Sequence, residues 1–368
     1  MRDERRETRG PAGRFDERPA ASGPPGAPRS DGRRRGSASE SDEPSGDAAI
    51  DARLPPAGPP DPPPPDGVLR DRIRSGWLGR CAGAEWPAPA PARHPGLVDR
   101  HGPVDHAVLT LRLLELHGPG FTHDQMASLW LLTLPFLRPG GDERDAYRNL
   151  VDGVVDPAAV PVTRENDDAL ARADLYGYLA PGDPRRAARL ARKDAQLSHA
   201  ASGLYAAMWV AALAAAAFTA RSAAEAVSVS LRHVPSRTRL FEALCDVLVA
   251  HARGREWDDA LAEIRAAHER YGARHAIGSA SSIAAALLWG DGDWQRCVDL
   301  AAAGGGDPET NAAAVGSIAG VLAGTAGLPV EWRHAAADRV NTAVPDAGEC
   351  RIADLAERTF AVARAGAR

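Results

Sequence analysis

The chain has 368 residues, of which 44% are hydrophobic and 25% are charged, so it is long enough to bury a large core. Its net charge of -5 argues against a nucleic-acid partner, because proteins that bind nucleic acids usually present a strongly basic face. The sequence has no apolar stretch of bilayer-spanning length, and its first residues lack the hydrophobic segment of a secretory signal, so we expect no membrane partner.

Residues 1–66 differ in composition from the rest of the chain. They are rich in Arg, Pro, Gly and Ser, contain few large apolar residues, and end in the run Pro62 to Pro65. Such a segment buries too little apolar surface to offset the entropy lost on ordering. We therefore predict a disordered N-terminal tail over residues 1–66.

Residues 67–365 have the periodicity of helices almost throughout. Leu109 and Leu113, and likewise Leu240 and Leu244, recur at the spacing of one helical face. Pro and Gly separate the helices, as in the segment Gly290 to Asp293, and alternation typical of strands is scarce. The sequence predicts a single compact all-α domain.

The four cysteines stand far apart and lack the spacing of a metal site or a redox motif. This distribution is typical of reduced thiols, so we expect a cytoplasmic protein. The cysteines are Cys81, Cys245, Cys297 and Cys350.

The segment Gly305 to Asn311 reads GGDPETN and is followed by the small-residue run AAAVGSIAG. Asp307, Glu309 and Thr310 place two carboxylates and a hydroxyl within four residues at the start of a predicted helix. Oxygen ligands of this kind suit a hard divalent cation. Spacing alone favours the alternative of a helix cap, in which Asp307 or Thr310 accepts hydrogen bonds from free backbone N–H groups, because acidic residues are common at helix starts.

Several motifs together resemble the ADP-ribosylglycohydrolase family, in the order in which that family has them. The resemblance covers nearly all of residues 68–365. The motifs are GWLGRCAGA at 76–84, RADLYGY at 172–178, PGDPRRAARLARKDAQLSHAASGLYAAM at 181–208, GGDPETN at 305–311 and RIADLAERT at 351–359.

The resemblance implies an all-α fold around a cleft that holds two Mg²⁺ or Mn²⁺ ions and takes ADP-ribose or an ADP-ribosylated substrate. By this resemblance Asp307, Glu309 and Thr310 match metal ligands of the late motif, although Glu309 stands where the family has Asp. Asp105 is the remaining candidate ligand from the early acidic cluster. The residues implied to contact the ligand are His199, Ser202 and Asn311.

The early cluster departs from the family pattern. One alignment places Gly102 and Pro103 at the two ligand aspartates and Asp105 at a supporting acid, and a shifted alignment places Asp105 and His106 there. Under either alignment at least one carboxylate is lost. The acid that ends the opening motif falls on Pro91, and Glu85 is the nearby substitute.

Asn166, Asp167 and Asp168 stand where relatives have Trp-Ile-Gly. We predict that this acidic group forms solvated surface.

Two functional hypotheses remain open from the sequence. In the first, the eroded dinuclear site makes the protein impaired or inactive in hydrolysing ADP-ribosyl bonds, with one weakly bound ion or none, while ADP-ribose still binds. In the second, the protein is an active Mg²⁺-dependent ADP-ribosyl hydrolase with a modified site. Loss of carboxylates favours the first, because two divalent ions held close together need several anionic ligands.

Overall fold

A computed structural model describes residues 43–86, 98, 101–137, 139–161, 163–333 and 338–366. The chain divides into two units, Met1–Gly36 and Ser37–Arg368, and all described residues belong to the second. Pro91 lies outside the described residues, as does the tail up to residue 42.

The described residues form sixteen α-helices and one two-stranded sheet, which confirms the predicted all-α class. The helices are α1 (Asp47–Arg53), α2 (Asp66–Glu85), α3 (Gly102–His117), α4 (His123–Thr133), α5 (Gly141–Val151), α6 (Leu170–Tyr178), α7 (Pro184–Ala195), α8 (Ala201–Ala217), α9 (Ala223–Ser230), α10 (Arg239–Ala252), α11 (Trp257–His268), α12 (Ala276–Gly290), α13 (Trp294–Ala303), α14 (Pro308–Ala323), α15 (Val330–Arg333) and α16 (Ile352–Gly366). The strands β1 (Arg339–Asn341) and β2 (Glu349–Arg351) pair antiparallel, with Val340 opposite Cys350.

Helix α8 is the centre of the core. Every residue from Ala201 to Ala217 is buried, and α6 and α7 pack along it. Its alanine-rich sequence lets the neighbouring helices approach closely. The apolar segment is therefore a helix in the interior of the protein. No helix in the described part of the chain has the length and apolarity to cross a membrane.

Helices α2 and α14 pack with their backbones in close contact, and glycines permit it. A β-carbon at Gly79 would overlap the backbone carbonyl of Gly316, and one at Gly320 would overlap the carbonyl of Ser75. The pair carries the site, because Glu85 ends α2 and Asp307 precedes α14.

The ordered domain begins earlier than the predicted boundary at residue 66. Helix α1 buries Ile50, and Glu43 forms an ion pair with Arg239. The Tyr205 hydroxyl donates a hydrogen bond to the carbonyl of Pro44 at 2.5 Å. Composition averaged over the tail concealed these few anchoring residues, so the prediction of disorder does not hold for residues 43–66.

All four cysteines are free thiols, in line with the expected reduced state. Cys81 and Cys297 are buried, and burial raises the pKa of both thiols, that of Cys297 to about 12. Such thiols are inert packing residues.

Candidate functional site

A cavity of about 240 Å³ lies where the first turns of α3, α5 and α14 meet the segment before α6. Four acidic and two basic side chains contribute to its lining. The lining residues are Gly102, Pro103, His106, Pro139, Gly140, Glu143, Asp168, Ala171, Arg274, Asp307, Glu309 and Thr310.

The late motif forms one wall of this cavity through the start of α14. Gly305 and Gly306 have φ of 92° and 75°, a conformation that favours glycine. Asp307 is the N-cap, and its Oδ1 accepts a hydrogen bond from the Thr310 N–H at 3.2 Å. Pro308 follows at the first helical position, where no N–H is needed. The cap and the ligand interpretations of Asp307 are thus compatible, since the same carboxylate caps the helix and lines the cavity.

Arg274 joins three carboxylates at the cavity. Its Nη2 lies 2.6 Å from Asp168 Oδ1, its Nε lies 3.0 Å from Asp167 Oδ1, and its Nη1 pairs with Asp307 Oδ2. A backbone pairing between distant segments places Arg274 here: the chain around it runs antiparallel to residues 165–167, with the Asp167 N–H donating to the Arg274 carbonyl at 2.9 Å.

The prediction that Asp167 and Asp168 are solvated is wrong. Asp167 is fully buried and Asp168 is 5% exposed, because both turn inward to Arg274. Burial raises the pKa of Asp167 to about 7. Burial and the nearby charge of Glu143 raise the pKa of Asp168 to about 6.

His101 bridges two further carboxylates, those of Glu309 and Glu85. Its Nδ1 lies 3.1 Å from Glu309 Oε1, and its Nε2 lies 3.3 Å from Glu85 Oε1. Burial opposes protonation, but the two carboxylates outweigh it and raise the pKa of His101 to about 9. At neutral pH His101 is therefore an imidazolium that donates from both nitrogens.

A buried ionic layer supports the floor of the cavity. Glu143 lies 2.9 Å from His106 Nε2 and 2.6 Å from Arg172 Nη1. Arg172 also pairs with Asp194 at 2.7 Å, and Asp194 accepts a hydrogen bond from the Tyr176 hydroxyl. These contacts fix α3, α5, α6 and α7 against one another beneath the cavity.

The structure brings Asp307, Glu309 and Thr310 together on the cavity but places Asp105 elsewhere. The Asp105 carboxylate is buried and accepts a hydrogen bond from the Ala343 N–H at 2.9 Å. Asp105 directly precedes His106 on α3 and therefore points about 100° around the helix from it, away from the face that lines the cavity.

The three predicted ligand-contact residues are buried outside the cavity lining. The ring of His199 is fully buried and faces Asp142, with Nε2 3.8 Å from Asp142 Oδ2. The Ser202 N–H donates to Glu165 Oε2 at 3.0 Å. Asn311 Nδ2 donates to the Gly305 carbonyl at 2.9 Å and so holds the glycine turn before α14.

Sequence reasoning missed Arg274 and His101 as site residues. Arg274 is 33 residues from Asp307 and 106 from Asp168 along the chain, so no local pattern connects them. His101 directly precedes Gly102, where the resemblance places the early cluster, and this position was the one available signal. Asp142 was also missed, because it reads as an ordinary acid in the first turn of α5.

As arranged, these side chains do not fit the pair of divalent ions that the resemblance implies. Both oxygens of Asp307 are engaged, one by the helix cap and one by Arg274. Glu309 and Glu85 are held by the His101 imidazolium. A pair of ions needs a surplus of anionic oxygens, whereas here cationic side chains already neutralise them.

A separate group of possible ligands lies just behind the cavity. Ligand atoms of Asp142, Asp168 and His199 lie within 4.8 Å of one another, and all three residues are buried.

Comparison with solved structures identifies the class of fold. A solved structure described as an ADP-ribosylglycohydrolase-related protein complex is similar, with a TM-score of 0.53 and 20% sequence identity, covering 82% of this chain and 99% of that one. That likeness shows the shared fold. No curated protein is significantly similar in sequence.

The family follows from the sequence match. The family model for ADP-ribosylglycohydrolase matches residues 65–367, which is most of the chain. The protein therefore belongs to the ADP-ribosylglycohydrolase family.

Proposed function

We propose that this protein binds ADP-ribose, free or attached to a substrate, at the cavity before α14 and hydrolyses ADP-ribosyl bonds slowly or not at all. The observation that carries the proposal is the pairing of Asp307 with Arg274 and of Glu309 with His101. The resemblance implies that these carboxylates bind divalent ions, and each of them is paired with a cationic side chain instead.

Replacing divalent ions by side-chain cations affects hydrolysis more than binding. A metal-bound water is acidified strongly enough to attack at neutral pH, whereas a guanidinium or imidazolium orients groups without generating a nucleophile of that kind. Arg274 can still offer hydrogen bonds to an anionic ligand. Its side chain is half-exposed, and each Nη carries a second N–H besides the one directed at Asp168 or Asp307, which can donate to a phosphate.

The size and lining of the cavity suit one part of the ligand. At about 240 Å³ it is just below the range of roughly 300–1,000 Å³ typical for pockets that enclose a whole small ligand. Carboxylates at its wall accept hydrogen bonds from sugar hydroxyls. We infer that the cavity takes the terminal ribose, while the rest of ADP-ribose lies along the surface.

Two measurements on the full chain test the proposal: calorimetric titration of ADP-ribose with and without Mg²⁺, and release of ADP-ribose from arginine- and serine-linked substrates. We expect binding whose affinity changes less than twofold with Mg²⁺, and release that is slow or no faster than in buffer. Asp307→Ala is the informative variant. Asp293→Ala is its matched control, because Asp293 likewise caps a helix, α13, but does not line the cavity.

Failure of ADP-ribose to bind would overturn the proposal. Robust Mg²⁺-dependent release that Asp307→Ala abolishes and Asp293→Ala retains would establish the active hydrolase instead.

A further inference from the structure

We propose that Asp142, Asp168 and His199 form a mononuclear binding site for a transition-metal dication such as Zn²⁺, behind the cavity and distinct from the positions of the late motif. The three residues come from α5, the segment before α6 and the segment before α8. One imidazole and two carboxylates are a donor set that suits Zn²⁺ and its first-row neighbours better than Mg²⁺. The inference does not depend on the proposed function.

Two buried ligand atoms of this group lack hydrogen-bond partners. Asp168 Oδ2 and His199 Nε2 are both unsatisfied, in residues that are 5% and 2% exposed. An unsatisfied buried polar atom costs roughly 1–3 kcal/mol, more if it is charged, so such atoms call for an explanation. A cation bound between them would satisfy both.

The surroundings of His199 prepare it as a ligand. Its Nδ1 lies 2.7 Å from Ser198 Oγ, which also accepts a hydrogen bond from Arg172 Nη2. Donation from Nδ1–H to Ser198 leaves the Nε2 lone pair directed at the carboxylates, as in many metal sites.

The two carboxylates have unequal partners. Asp168 uses Oδ1 for Arg274 and keeps Oδ2 for the group. Asp142 Oδ2 accepts one backbone hydrogen bond, from the Asn166 N–H at 2.9 Å. Among the described residues no Lys or Arg nitrogen lies within 4 Å of Asp142, so its charge has no direct cationic partner.

The wider charge balance also favours a cation. The connected acids are Asp142, Glu143, Asp167, Asp168, Asp194 and Asp307. The basic side chains that act on them are Arg164, Arg172, Arg274 and His106. The acids outnumber the bases, and a low-dielectric interior strengthens the resulting negative potential.

Ligands on one tetrahedral ion at about 2.1 Å lie roughly 3.4 Å from each other. The group spans up to 4.8 Å, so the side chains must draw in by about 1 Å on binding, within the reach of small rotations in two aspartates. Access is from the cavity, because Asp168 and Gly140 both line it.

The test is a titration of the full, tag-free chain with Co²⁺, followed by its visible absorption, and then displacement by Zn²⁺. We expect one ion per chain, at least tenfold weaker binding in Asp142→Asn, Asp168→Asn and His199→Gln, and no displacement by Mg²⁺. Asp145→Asn is the matched control, because this exposed acid lies on the same helix as Asp142. Glu309→Gln is a second control, which tests whether the late motif contributes to Co²⁺ binding. Co²⁺ binding should be unchanged in Asp145→Asn and in Glu309→Gln.

A second variant keeps the test decisive if a buried substitution prevents folding. A β-carbon at Gly140 would overlap the carboxylate oxygens of Asp168, while its φ of -67° accepts alanine. Gly140→Ala should therefore displace Asp168 without a change of charge and weaken Co²⁺ binding. Three binding results would overturn the proposal: no stoichiometric Co²⁺ binding, Co²⁺ binding that the Asp142 and Gly140 variants leave intact, and loss of Co²⁺ binding in Glu309→Gln. A thiolate-to-cobalt charge-transfer band in the visible spectrum would also overturn it.

Discussion

Replacement of Arg274 by Met tests whether one guanidinium neutralises the acidic wall of the cavity. The change keeps an unbranched chain of similar length but removes the cation shared by Asp167, Asp168 and Asp307. Two of these carboxylates are buried, so they lose their partner in a place where water cannot replace it.

The expected loss of stability depends on pH, with a sign that follows from the pKa values. In the folded protein the pKa of Asp167 is about 7 and that of Asp168 is about 6, against about 3.9 for an unfolded Asp. Because folding raises both values, these groups favour the folded state at low pH and lose that contribution as pH rises from about 4 to about 7. At pH 5 both are largely neutral and need Arg274 little.

Above pH 7 both carboxylates are ionised, and their partner matters most. Breaking a buried ion pair costs about 3–5 kcal/mol, but half of the Arg274 side chain is exposed, so solvent screening reduces the figure. We expect Arg274→Met to lower the free energy of unfolding by about 2 kcal/mol at pH 8 and by about 1 kcal/mol or less at pH 5.

Urea unfolding of both proteins at pH 5 and pH 8, followed by circular dichroism, measures this difference. Arg296→Met is the control, because Arg296 is exposed on α13 away from the cavity, and it should change stability by less than about 0.5 kcal/mol. A loss of stability in Arg274→Met that is the same at both pH values, or absent at pH 8, would refute the reasoning.

Three further predictions follow from the packing and the pairing. Gly316→Leu should lower the free energy of unfolding by about 3 kcal/mol or more, because its side chain must displace α2, and a fall in melting temperature of only a degree or two would contradict this. His101→Gln should destabilise the protein most below pH 6.5, and the difference from wild type should shrink as pH rises through about 9. That value is the pKa of His101, which burial lowers but Glu309 and Glu85 raise by more. Melting temperatures measured across this pH range test the prediction. Ile50→Ala should cost about 2–4 kcal/mol, and stability unchanged in denaturant would show that α1 is not docked.

Much of the fold was predictable because it depends on local repetition. The spacing of Leu109 and Leu113 predicted α3, and that of Leu240 and Leu244 predicted α10. The turn at Gly290 separates α12 from α13, as expected from glycine and aspartate. Each of these signals lies within a few residues of the structure it specifies, so chain order alone suffices to detect it.

The candidate site was predictable only in part. The motif around Asp307 fixed one wall, because a helix start places its first side chains together. Asp167 and Asp168 were predicted to be solvated, because adjacent charged residues usually lie on the surface. No neighbouring residue in the sequence indicates that they have a buried partner. The partner, Arg274, comes from a segment more than a hundred residues away.

The sequence by itself determined the family, the helical class and the carboxylates of the late motif, all of which follow from short-range pattern. Only the tertiary structure decided which cations face those carboxylates. The antiparallel contact between residues 165–167 and 274–276 sets Arg274 against Asp168, and the meeting of α2 with α14 sets His101 between Glu85 and Glu309. Electrostatic pairing falls off with distance in space and is indifferent to distance along the chain, so the charge state of this cavity exists only once the helices have packed.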